Sequence, residues 1–190
     1  SKVTLFGPRD LVEKQKVLNF TIEEYKPTIY IKLFGPVLLV RNWKAEMDKV
    51  WQREKAKELF VYLYIHRNRF CSKEEIMDAL FPSSTEDVAV RDFKVAYNAL
   101  LKVLEPERNA REESFYIERK TGMYRIRSAP YIVSDVHYFE QLISLANKQH
   151  CPILRKQWLL KAIQQYTGNL YEENSHIEWL QQHRQRYKTL

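Results

Sequence analysis

DVAVRDFKVAYNALLKVL, residues 87–104, carries two different stripes when it is read at helical spacing. Ala89, Phe93, Ala96, Leu100 and Leu104 fall on one face, and their apolar character predicts burial. Arg91, Lys94, Asn98 and Lys102 fall on another face, with Val95 and Leu101 towards it. A basic stripe with one amide in its middle either keeps a helix wet or is the surface that meets a nucleic acid. The sequence on either side weighs between these readings.

Upstream, TIYIKLFG (28–35) and VLLVRN (37–42) are β-rich runs joined by the turn dipeptide Gly35-Pro36. A helix is expected from about Arg53, because Ala56, Leu59, Phe60, Leu63 and Tyr64 share a face, to the cationic cluster His66 to Arg69. CSKEEIMDALFP (71–82) then predicts a short helix. Ser72 and Glu75 have capping-box spacing, Cys71 and Ile76 suit a hydrophobic staple, and Pro82 closes it. Ser83 and Glu86 repeat the capping-box spacing ahead of a long helix from about Glu86 to Leu104. Downstream, SFYIERKTGMYRIRS (114–128) reads as a hairpin around Lys120-Thr121-Gly122. From Ser134 the chain reads as helices at 134–148, 152–166 and 174–190, with short breaks that suggest helical-repeat packing.

The order of strands, helix, short helix, long helix and hairpin is the winged-helix arrangement, in which the later helix enters the major groove and the wing touches flanking backbone. Such a helix needs one apolar side for anchorage and donors on the other for base edges and phosphates. Asn98 suits bidentate pairing with adenine and Arg91 with guanine, while Lys94 and Lys102 suit phosphates or a guanine edge. Val95 and Leu101 suit thymine methyls or a neighbouring protomer. In the wing, Arg119, Lys120 and Arg125 put cations on or beside the turn at Thr121, with Glu118 in the same hairpin. The formal net charge of +7 over 190 residues makes a polyanion the first partner to consider.

Several motifs together resemble one group. IKLFGPVLLV (31–40), REKAKELFVYLYIHRNRFCSKEEIMDALFP (53–82), the striped helix, YIERKTGMYRI (116–126), SDVHYFEQLISLA (134–146) and AIQQYTGNLYEENSHIEWLQQHR (162–184) resemble the SARP-like bacterial transcriptional activators. In that family an OmpR-like winged helix-turn-helix is followed by a bacterial transcriptional activator domain of tetratricopeptide-like helices, an α+β part and then an all-α part. The resemblance covers about residues 28–190. It implies a cytoplasmic, sequence-specific activator with double-stranded DNA and RNA polymerase as partners. A homodimer on DNA and no cofactor are expected, and the alternative is a protein-interaction module whose winged helix docks a protein rather than DNA. The VYLYIHRNRF (61–70) and EEYKP (23–27) stretches look like the large MalT-like regulators that carry this module at the C-terminal end of a longer polypeptide. Where the family usually has a Leu-Arg pair before the last apolar residue of the helix, this chain has Leu100-Leu101, with the cation at Lys102. Gly122 and Tyr124 fit the wing pattern, and Asp135, Phe139, Tyr166, Gly168, Leu170 and Trp179 fit the activator domain as structural residues.

The expected organisation is an N-terminal connector at 1–27 with one short helix around Asp10 to Asn19, a winged-helix domain at 28–128 and the start of the helical domain at 129–190. A chain that starts without Met is expected to be a piece of something longer. Catalysis is not expected: there is no GxxxxGK[ST], no GxSxG and no paired carboxylates near a nucleophile. Cys71 and Cys151 form no CxxC, and the histidines have no HxxH or HExxH spacing, so no metal site is expected. No apolar run approaches the roughly 20 residues that span a bilayer. Trp158 and Trp179, with Leu159, Ile163 and Leu180, are expected in a core, and Trp43 and Trp51 as anchors of the N-terminal sheet.

Overall fold

The computed structural model describes residues 29–41, 44–45 and 51–190. The short helix expected around Asp10 to Asn19, the Glu23 to Pro27 lead-in and Trp43 lie outside the described residues. The chain divides into two compact units, one of residues 48–128 and one that joins the N-terminal strands to residues 129–190.

The first unit starts with α1 (Glu54–Ile65), whose residues Ala56 to Tyr64 are all buried. Trp51 packs edge-on against Phe60 at 5.7 Å between ring centroids, which anchors it on this helix. The buried Glu58 carboxylate receives the Lys55 ammonium at 2.6 Å, and Lys55 also donates to the Leu80 carbonyl. Next come a short strand β4 (Cys71–Ser72) and α2 (Lys73–Leu80). The predicted capping box forms in both directions: Ser72 Oγ accepts from Glu75 N at 3.1 Å, and the Glu75 carboxylate accepts from the Ser72 backbone. The second capping box does not form. Thr85 occupies the N-cap of α3 (Glu86–Leu104) without a side-chain cap, and Ser83 stays in the preceding turn.

α3 buries the stripe that the spacing predicts, Ala89, Phe93, Ala96, Leu100 and Leu104. At roughly 1.5–3 kcal/mol for each fully buried Leu or Phe, that stripe fixes the rotation of the helix about its axis. Leu101 is buried as well, which removes it from the polar face. β5 (Ile117–Lys120) and β6 (Met123–Ile126) then form an antiparallel hairpin, and β4 pairs with β6 to complete a three-stranded sheet.

In the second unit, β1 (Ile29–Lys32) lies between β2 (Leu38–Arg41), which is antiparallel to it, and β7 (Ile132–Ser134), which is parallel. β3 (Lys44–Ala45) extends the sheet beyond β2. The grouping breaks at 128 and 129 as expected, but the strands β1 to β3, expected in the winged-helix domain at 28–128, belong with residues 129–190. The reason is local: the turn after β1 is tied to residues 167–173. Gly35 N donates to Asn169 O at 2.8 Å, Tyr171 N to Leu33 O at 2.9 Å, and Thr167 Oγ1 to Phe34 O at 2.9 Å. Gly168 sits so close to this turn that a Cβ there would lie 2.9 Å from the Gly35 Cα.

α4 (Asp135–Lys148) and α5 (Pro152–Gln165) pack on one another, with Ser134 capping α4. Phe139 and Tyr166 surround Phe34 together with Tyr187 of α6 (Gln181–Thr189), at centroid distances of 5.4, 4.9 and 5.4 Å. The helix expected from 174 starts only at 181. The Arg184 guanidinium satisfies the carbonyls of Leu170, Tyr171, Asn174 and Ser175, and Gln181 takes those of Ser175 and Ile177, which holds this stretch in turns. Of the expected core, Leu180 is buried, Trp158, Leu159 and Trp179 are half-buried, and Ile163 is 65 % exposed. No helix among the described residues is long and apolar enough to cross a membrane.

Asp135 is 2 % exposed and accepts backbone N–H groups from Leu33 at 2.8 Å, Phe34 at 2.9 Å and Val136 at 2.9 Å. Asp135→Ala leaves the buried donors of Leu33 and Phe34 without this acceptor. It is expected to cost about 2–6 kcal/mol in denaturant unfolding, at roughly 1–3 kcal/mol per orphaned group. A loss below about 0.5 kcal/mol, the size of an ordinary surface change, would contradict this role.

Candidate nucleic-acid interface

The polar face of α3 is held outward by its apolar one. Phe93 and Tyr97 stack at 6.0 Å, and Tyr124 of β6 meets both edge-on at 5.2 Å. The hairpin is thereby locked to the helix by aromatic contacts, each worth about 0.5–1.5 kcal/mol beyond area burial. A second tie runs from Lys73 N at the start of α2 to Gly122 O in the hairpin turn, 3.3 Å. Lys73 also places its ammonium 5.7 Å from the Phe93 ring centre.

Outward from this frame, Arg91, Lys94, Val95, Asn98 and Lys102 are all exposed. Arg91, Val95, Asn98 and Lys102 follow one another at spacings of four, three and four, which keeps them on one face. Arg91 Nε lies 3.1 Å from Asp92 Oδ1, an exposed neighbour pair of little energetic consequence. The acids Glu86 and Asp87 occupy the first turn, where the helix dipole favours them, and Lys102 the last.

The wing tip is a two-residue turn with Thr121 at φ 50° and Gly122 at φ 76°. Left-handed conformations at both positions match the twist of the flanking strands. Arg119, Lys120 and Thr121 are exposed, and the Arg119 guanidinium lies 5.7 Å from the Tyr124 ring centre. Arg125 behaves differently. It stands directly across the strands from Glu118, bonds it through Nε at 2.7 Å and Nη2 at 2.6 Å, and covers the Phe70 ring at 4.4 Å. Its charge is committed to bracing the hairpin.

Asn98, Arg119 and Lys120 line one cleft of about 670 Å³, whereas Arg91, Lys94 and Lys102 do not reach it. Val95 lines a separate groove with Arg53, Lys55 and Phe81. The motif reading missed the loop from Glu105 to Tyr116, which supplies Arg108 and Arg111 to the same cleft. No motif in the sequence marks it: EPERNAREES carries two arginines among four glutamates.

Beneath the helix-turn-helix sits a polar node around Glu75. Its carboxylate is 2.7 Å from Arg69 Nη1 and accepts from Tyr62 OH at 3.2 Å. Burial works to raise this carboxyl, and the bonds from Arg69, the Ser72 backbone and Tyr62 outweigh it, leaving Glu75 below the usual range. Burial, with Glu75 adding to it, pushes the Tyr62 phenol up to about 12, and burial pushes the Cys71 thiol up to about 11. Cys71 is thus a buried neutral thiol, suited to packing rather than to nucleophilic chemistry.

No protein-family model and no curated protein matches this sequence. Among solved structures, the chain is similar to Mycobacterium tuberculosis EmbR in complex with a low-affinity phosphopeptide, with a TM-score of 0.71 at 14 % identity. The likeness covers 85 % of this chain and 42 % of that one, so the chain spans about two-fifths of its neighbour's length. At that identity the similarity is one of architecture: the chain shares the fold of this neighbour, here a helix-turn-helix with a β-hairpin wing, a small sheet and further helices.

Proposed function

We propose that this chain is the DNA-binding and adjoining helical part of a transcriptional activator, acting without catalysis. In this reading α3 enters the major groove and the wing follows the backbone. The observation that carries it is the pairing, in one unit, of an outward face bearing Arg91, Lys94, Asn98 and Lys102 with a wing tip bearing Arg119 and Lys120. The aromatic lock on α3 supports it further, because groove reading demands a helix whose rotation is fixed. A tip amide in the middle of a basic face is what adenine recognition requires. RNA polymerase as partner, two protomers on repeated half-sites, the remainder of a longer regulator and a cytoplasmic site of action complete the proposal.

Two observations favour a second reading, a protein-interaction module. α5 carries Ile153, Leu154, Leu160 and Ile163 exposed, and its neighbour in fold was solved with a phosphopeptide bound. A winged helix can dock a protein instead of DNA. The two readings part on sequence selectivity.

Selection from a random duplex pool is expected to enrich a defined motif, and Asn98→Ala is expected to relax one position of it at a cost of roughly 1–3 kcal/mol. Recovery of no motif, unchanged by the substitution, favours the interaction module. Lys120→Gln should flatten the dependence of log K on log salt by about 0.9, the loss of one phosphate contact. Arg125→Gln should leave that slope in place and instead lower the unfolding midpoint, since Arg125 is tied to Glu118. Equal slopes for both variants and wild type would contradict the assignment of the wing.

A further inference from the structure

We propose that the loop joining α3 to β5 is a second phosphate-binding element, which closes a cleft with the wing around one backbone phosphodiester of duplex DNA. This inference rests on the DNA-binding reading above. The cleft, about 670 Å³, is lined by Asn98 of α3, by Arg108 and Arg111 of the loop, and by Arg119 and Lys120 of the wing.

The disposition of the acids gives the cleft its sign. Glu105 is spent inside the loop, accepting from Phe115 N at 2.8 Å and from Ser114 Oγ. Glu112 accepts from Asn109 Nδ2 at 2.7 Å and Asn109 N at 3.2 Å. Glu118 is held by Arg125 at 2.6 Å, with Arg127 at 3.6 Å. Glu113 is the remaining acid of the lining. Arg111, Arg119 and Lys120 are exposed and form no ion pair among the described residues. Glu105, Glu112 and Glu118 are thus engaged within the loop and the hairpin, while Arg111, Arg119 and Lys120 together outweigh Glu113, the exposed acid beside them.

The loop is also pre-shaped for this task. Arg108 Nη1 donates to the carbonyls of Asn109 and Glu112, closing the loop on itself and holding its tip beside the wing. Its Nε is sealed from solvent without a hydrogen-bond partner among the described residues. Arg108 is accordingly a positioning residue, and Arg111 is the contact. Because Asn98 opens into the same cleft, the phosphate held there flanks the base that Asn98 reaches, so one site sets the register of the helix on the duplex. A single anionic oxygen pair between three exposed cations is the ligand this chemistry fits, and a phosphodiester supplies it.

The test measures binding of the full chain to a selected duplex and to a scrambled duplex from 50 to 200 mM salt, for wild type, Arg111→Gln, Arg111→Lys and the α5 control Lys156→Gln. Arg111→Gln is expected to weaken binding to both duplexes alike and to reduce the salt slope by about 0.9. Over that fourfold rise in salt, the variant should then lose about threefold less affinity than wild type. Arg111→Lys should restore the slope, and Lys156→Gln should leave it unchanged. Normal wild-type binding with an unaltered slope in Arg111→Gln overturns the loop contact and leaves DNA binding standing. Absence of duplex binding by wild type overturns both. Preferential binding of a singly phosphorylated peptide, lost in Arg111→Gln, would reassign the cleft to protein phosphate and overturn the inference as stated.

Discussion

Tyr124 edge-on against both Phe93 and Tyr97 is the contact on which the functional geometry depends. It joins the second strand of the wing to the middle of α3, so the helix and the hairpin share one frame. The buried stripe of α3 fixes which residues face away, and the aromatic contact fixes where the wing stands beside them. The outward direction of the polar face follows from this pair of constraints. Around them, Lys73 bonds the wing turn and Glu75 ties the start of α2 to Arg69 and Tyr62. The helix-turn-helix and the wing are thereby one mechanical piece.

The second unit obeys a different constraint, the need to satisfy the buried backbone of the turn after β1. Asp135 accepts from Leu33 and Phe34, while residues 169–172 bond the same turn from the other side. Arg184 performs the equivalent service for the carbonyls of 170–175. Charged side chains here replace secondary structure as partners of the main chain. The close approach of the Gly35 turn leaves Gly168 no room for a side chain.

Local periodicity and turn chemistry made much of the first unit legible. The stripes of 87–104, the Ser72 and Glu75 box and the Thr121-Gly122 turn are all short-range patterns, and each reports a local energetic preference. The role of Arg125 was also within reach of the sequence: a two-residue turn at 121 and 122 pairs Glu118 with Arg125 across the strands. Reading it only as a wing cation overlooked that register. The parallel pairing of β1 with β7 was not legible, because it joins residues about a hundred positions apart and no local preference encodes it. The late start of α6 escaped for a related reason. The apolar spacing of 174–190 suits a helix, but Arg184 offers its carbonyls better partners.

The central claim, that the outward face of α3 and the wing tip meet nucleic acid, is tested most directly by following backbone amide resonances while a mixed-sequence duplex is added. Shifts are expected to concentrate at residues 91–102 and 119–122 and to diminish as salt is raised. Shifts concentrated on α5, around the exposed Ile153, Leu160 and Ile163, or none at all on α3, would contradict it.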